Sequence, residues 1–123
     1  MKLGHTGFIR LIKASQYSWR GLKAAWMAEA AFRQECVLAA ILLPIAFFLE
    51  VTPLEKSLLI ATVLLVIIVE LINSAIEAVV DRISTEFHEL SGNAKDMGSA
   101  AVLFALILMG LVWGTILFNQ FFG

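Results

Sequence analysis

The chain has 123 residues, 60% of them hydrophobic, with 9 basic and 10 acidic side chains and a mean hydropathy of +0.88. Soluble domains are about 45–50% apolar, so this is membrane-protein composition, and the length suits one small domain with no room for a separate soluble catalytic module. The near-neutral charge argues against nucleic acid as a partner, and a single cysteine, Cys36, excludes an internal disulfide.

The first 33 residues carry Lys2, Arg10, Lys13, Arg20, Lys23, Glu29 and Arg33. Charges so regularly spaced leave no apolar core for a cleavable signal peptide, so the N-terminus is expected to be retained. Phe8, Ile12, Ser15, Trp19, Leu22 and Trp26 recur at steps of four and three, with the basic residues largely elsewhere. This pattern predicts an amphipathic helix over about 8–28, lying in the membrane surface.

Three candidate spans follow. Cys36–Leu49 is apolar but short, so a first span over about 30–49 must take in Arg33 and Glu35, with Pro44 predicting a kink. The second, about 57–76, has Glu70 as its only charge. The third, about 97–118, has none, and roughly 20 residues suffice to cross a bilayer. Between the last two, Glu86–Asp96 reads as a polar turn. Eight of the nine basic residues fall on one side of this plan; only Lys56 falls on the other. The positive-inside rule then makes that side, with the N-terminus, cytoplasmic. The fold class expected is an all-α membrane protein, one domain over residues 1–123, with a surface helix and three spans.

Glu70 is the first place to look for chemistry. A carboxylate in hydrocarbon costs roughly 2.5–3.5 kcal/mol on insertion scales, so such groups are rarely idle. Asn73, Ser74, Glu77 and Asp81 follow it at helical spacing. Glu77 lies two turns on, about 10 Å along the axis, near the interface. A buried carboxylate makes a proton acceptor, while carboxylates at the wet edge suit Mg2+, with Glu29 a candidate for the second ligand. The alternative is that Glu70 pairs with Asn73 or another helix to fix packing. Lys95-Asp96, ahead of the third span, suit either a phosphate or an interfacial anchor. Gly110 and Gly114 allow close helix approach. Oligomerisation is the simplest way to shelter Glu70, Asn73 and Glu77.

Three motifs carry a resemblance: Glu29-Ala-Ala-Phe-Arg-Gln-Glu35, Glu70-Leu-Ile-Asn-Ser-Ala-Ile-Glu77 continuing to Asp81, and Ala94-Lys-Asp-Met-Gly-Ser-Ala-Ala-Val102. From about Gly7 onward the chain resembles the bacterial integral-membrane diacylglycerol kinase family. The resemblance implies a homotrimer of the inner membrane that moves the γ-phosphate of Mg-ATP to diacylglycerol, giving phosphatidic acid. It implies Glu70 as general base, supported by Asn73, and Glu29 and Glu77 on Mg2+. Lys95, Asp96, Arg10, Tyr17, Glu86 and His88 would contact ATP, and Glu35 and Ser99 the lipid. Sites would be composite between subunits. A related branch resembles undecaprenol kinases, though Ser91–Ser99 reads more like the diacylglycerol branch. From another class, a proton-coupled multidrug transporter explains Glu70 but leaves Glu29, Glu77 and Lys95-Asp96 without a role. A structural scaffold explains only the glycine pair. No role is assigned to residues 1–6.

Overall fold

The computed structural model describes residues 7–83, 86 and 88–123, and these form four α-helices in sequence. They are α1 (Gly7–Ala28), α2 (Ala30–Phe48), α3 (Pro53–Ile83) and α4 (Glu89–Phe122). The last three are each long and apolar enough to cross a membrane, and most of their large apolar side chains, Leu64, Ile68, Phe104 and Leu111 among them, face outward. Such surfaces belong against lipid or another apolar partner. The chain is a multi-pass membrane protein. Residues 1–6, given no role above, lie outside the described residues.

Each boundary has a local cause. Glu29, with extended backbone (φ −125°, ψ 115°), breaks α1 from α2. The Arg33 guanidinium donates back across that break to the Trp26 carbonyl at 2.5 Å, neutralising the C-terminal end of α1. The helix α2 runs through Pro44 and stops at Phe48. Thr52 and Glu55 then close a reciprocal capping box: the Glu55 amide donates to Thr52 Oγ1 at 3.2 Å, and the Thr52 amide donates to Glu55 Oε1 at 3.0 Å. His88 caps α4, its Nδ1 accepting from the Leu90 amide at 3.1 Å. That cap, with Glu89 in the first turn, makes residues 89–96 helical where the sequence reads as a polar turn. The helices α3 (31 residues) and α4 (34 residues) thus outrun their apolar stretches at the end where Glu77 and Lys95 lie.

The central element is α3, packed against α4 most extensively and against α2 next. Its inward stripe is Leu59, Thr62, Val63, Val66 and Glu70, a near-heptad spacing that keeps one face of the helix against its neighbours. Leu59 and Ala46 are completely buried and form a core with Ala39, Val63, Trp113 and Ile116. Trp113 Nε1 donates to the Leu59 carbonyl at 3.1 Å, tying α4 to α3. Replacing Trp113 by Phe removes that bond and leaves a gap; it is expected to destabilise the chain by about 1–2 kcal/mol, read as a lower thermal denaturation midpoint in detergent. Gly110 and Gly114, expected to permit close helix approach, have open space where a side chain would stand. Trp113, between them in sequence, makes the contact instead, and no close approach at the glycines is made within the chain.

Candidate active site

The inward stripe of α3 changes character along its length. It is apolar from Leu59 to Val66, then continues at the same spacing as Glu70, Asn73 and Glu77. The face that packs the core at one end of the helix therefore delivers acidic and amide groups to the other. Glu70 is only 4% exposed, while its neighbours Ile68 and Ile72 face outward. Of the three groups expected to be sheltered by oligomerisation, α3 already turns Glu70 inward among the chain's own helices, while Asn73 and Glu77 are half-buried. Glu35 of α2 and Glu77 both lie near enough to act on its charge. Glu35 Oε2 and Asn73 Oδ1 are buried with no hydrogen-bond partner, so two acceptors near Glu70 await a donor.

Where α2 begins and α3 ends, a cavity of about 460 Å³ opens between α1 and α3. That size falls in the roughly 300–1,000 Å³ range of small-molecule sites. Gly21, Ala24, Ala25 and Ala28 of α1 face Ser74, Ala75 and Ala78 of α3 across it. Small side chains on both helices leave this space unfilled. On α1 these positions lie opposite Phe8, Ile12, Trp19, Leu22 and Trp26, which all stay exposed, as a surface helix with one face toward lipid requires. The small-residue face at i, i+3, i+4 and i+7 is the signal that the sequence analysis above passes over.

Three carboxylates line this cavity: Glu29, Glu77 and Asp81. Glu29 occupies the N-cap position of α2 but makes no side-chain capping bond. Its carboxyl instead lies within hydrogen-bonding reach of that of Glu77. Two carboxyls in contact repel unless a proton or a cation lies between them. An all-oxygen donor set of this kind fits Mg2+. Among the described residues, no group of three or more His, Cys, Asp or Glu side chains is gathered to hold a metal unaided. Magnesium is commonly bound by one or two carboxylates together with substrate phosphates. On the rim, Lys95 Nζ meets Asp81 Oδ1 at 2.8 Å, both side chains well exposed. Solvent screens a pair so exposed, so Lys95 can exchange Asp81 for a stronger anion at little cost.

The remaining sequence-predicted residues stand apart from this cavity and do not line it. Arg10, Tyr17, Glu86, His88, Asp96 and Ser99 are all exposed. Tyr17 stacks under Arg20, whose guanidinium carbon lies 5.7 Å from the ring centre. Asp96 and Ser99 occupy the exposed side of α4, whereas Lys95 turns toward α3. Cys36 is half-buried within α2 and unpaired.

This fold and cleft define a multi-pass membrane protein with an acidic, magnesium-compatible pocket at one end of its helices. Residues 16–117 match the model of a family described as prokaryotic diacylglycerol kinase. The chain is 59% identical over 116 residues to a diacylglycerol kinase of Escherichia coli K12, covering 94% of this chain and 95% of that one. It is 58% identical over 113 residues to a diacylglycerol kinase of Haemophilus influenzae, covering 92% and 96%. A diacylglycerol kinase of Pseudomonas aeruginosa is 54% identical over 114 residues, covering 93% of each chain. The chain belongs to the prokaryotic diacylglycerol kinase family and is an enzyme of the kinase class.

Proposed function

We propose that this enzyme transfers the γ-phosphate of Mg-ATP to the free hydroxyl of diacylglycerol, giving phosphatidic acid, at the cytoplasmic face of the bacterial inner membrane. The observation that carries this reading is the continuous row from buried Glu70 through Glu77 to the Glu29–Glu77 contact, with Lys95 at its outer end. Phosphoryl transfer asks for positioning, charge neutralisation and a base for the attacking hydroxyl, and the row offers these in order of depth. The clustering of basic residues at this end of the chain supports a cytoplasmic orientation, on the side where ATP is found. A homotrimer belongs to the same proposal, and the outward apolar faces of the spans leave surface for it.

In this mechanism the lipid keeps its acyl tails in the bilayer and offers its hydroxyl beside Glu70. The hydroxyl proton passes to the Glu70 carboxylate as the oxygen bonds to the γ-phosphorus. The bond from that phosphorus to the bridging β,γ-oxygen breaks, and ADP leaves. Glu35, whose Oε2 is buried beside Glu70, and Ser99, on the exposed side of α4, help to position the lipid. Glu29 and Glu77 hold Mg2+, which when bound neutralises phosphate charge and orients the triphosphate. Lys95 leaves Asp81 for the phosphates, with Asp96, Arg10, Tyr17, Glu86 and His88 as outer nucleotide contacts. Asn73, one turn from Glu70, fixes the base in place.

The direct test is incubation of the purified protein with labelled ATP, Mg2+ and diacylglycerol in mixed micelles, with a parallel reaction on undecaprenol. The expected product is labelled phosphatidic acid, with little label in undecaprenyl phosphate. Label in the polyprenol alone would move the assignment to the sister activity. Absence of label from both lipids would reject lipid phosphorylation.

A further inference from the structure

Gly98 sits one turn beyond Lys95, buried on the face of α4 that meets α3. Its backbone lies directly against the Asn73 side chain. A Cβ built on Gly98 would collide with Asn73 Oδ1 and stand 3.1 Å from its Cγ and 3.8 Å from its Cβ. No real side chain could stand there, so even alanine would force the amide to rotate away or the two helices to part. Asn73 Oδ1 is itself buried with no hydrogen-bond partner. The amide is thus held by shape, in a space that exists only because position 98 has no side chain. Asn73 in turn is three residues from Glu70, on the same face of α3.

We propose that Gly98 is a positioning residue for phosphoryl transfer, its missing side chain forming the seat that holds the Asn73 amide beside Glu70. The proposal rests on the reading of Glu70 as the base. Gly98 does not touch the reacting groups; it acts through Asn73. Helical backbone accepts any residue at this position as far as conformation goes, so the requirement for glycine is steric and comes from the opposite helix. A misplaced positioning group can cost up to about 100-fold in rate without weakening substrate binding.

A double-mutant cycle tests this on the full-length protein in mixed micelles. Gly98→Ala is expected to lower kcat by about 10- to 100-fold with the KM for Mg-ATP changed by less than about twofold. In an Asn73→Ala background the same substitution should cost nothing further, because the group it displaces is already gone. The thermal denaturation midpoint should follow the same rule, falling on Gly98→Ala only when Asn73 is present. Independent, multiplying losses in kcat would overturn the proposal, as would a Gly98→Ala enzyme with undiminished kcat. Should Gly98→Ala fail to fold, the double variant decides. A folded double variant with the kcat of Asn73→Ala supports the seat, and an unfolded one contradicts it. A wild-type chain that transfers no phosphate would instead defeat the kinase reading and the positioning role together, while the melting cycle would still report whether the seat exists.

Discussion

Glu70→Gln is expected to reduce kcat for lipid phosphorylation by about 10²- to 10⁴-fold, the usual contribution of a positioned general base. Glutamine keeps the size and polarity of the buried group but cannot accept the hydroxyl proton. The KM for Mg-ATP should therefore stay near its wild-type value, because the proposed mechanism gives Glu70 a contact with the lipid hydroxyl and none with the nucleotide. Raising the Mg2+ concentration should restore nothing. Near-normal turnover would remove Glu70 as the base, even if the chain remained a lipid kinase. The burial of Glu70 at 4% exposure gives this prediction its size: solvent does not reach the site freely enough to supply a substitute base.

Glu77→Gln and Glu29→Gln should behave differently. Loss of a group that merely supports a metal ligand costs roughly 10–100-fold, so removing a ligand should lower activity at limiting Mg2+ by at least about that much. Unlike Glu70→Gln, these losses should be partly recovered as Mg2+ is raised, with the half-saturating concentration displaced upward. The double Gln variant should be little worse than the poorer single variant, since the two carboxyls meet each other and act as one site. Two effects that multiplied and ignored Mg2+ would mean that the carboxyls serve separate purposes. The mutual repulsion of Glu29 and Glu77 also implies that either Gln variant should be no less thermally stable than wild type in the absence of divalent ions.

Much of this was legible because α3 writes its own geometry. Leu59, Val63, Val66, Glu70, Asn73 and Glu77 fall on one helical face by spacing alone, so the change from apolar to acidic can be read without coordinates. The three spans and the surface helix follow from hydropathy and charge for the same reason. What depends on the rotation of one helix against another was not legible. The Lys95–Asp81 pair, the facing of Gly98 by Asn73 and the opposition of small residues on α1 to those on α3 are all of this kind. The burial of Glu70 within the chain itself was not legible either, because it depends on how closely the neighbouring helices approach α3. Helices α2 and α4 flank α3 closely enough to bury it. The segment 89–96 misled for a local reason: Ser91, Gly92 and Asn93 weaken helix propensity, yet the His88 cap and continuity with the long apolar run carry the helix through them.

Everything proposed for this site turns on the Glu29–Glu77 contact as the seat of a nucleotide's metal. Titration of Mn2+ into the purified protein with a non-hydrolysable ATP analogue, followed by electron paramagnetic resonance of the free ion, measures this directly. Nucleotide-dependent Mn2+ uptake is expected of the wild-type chain and should be lost when Glu29 and Glu77 are both replaced by Gln. Equal uptake by the two proteins would contradict that assignment.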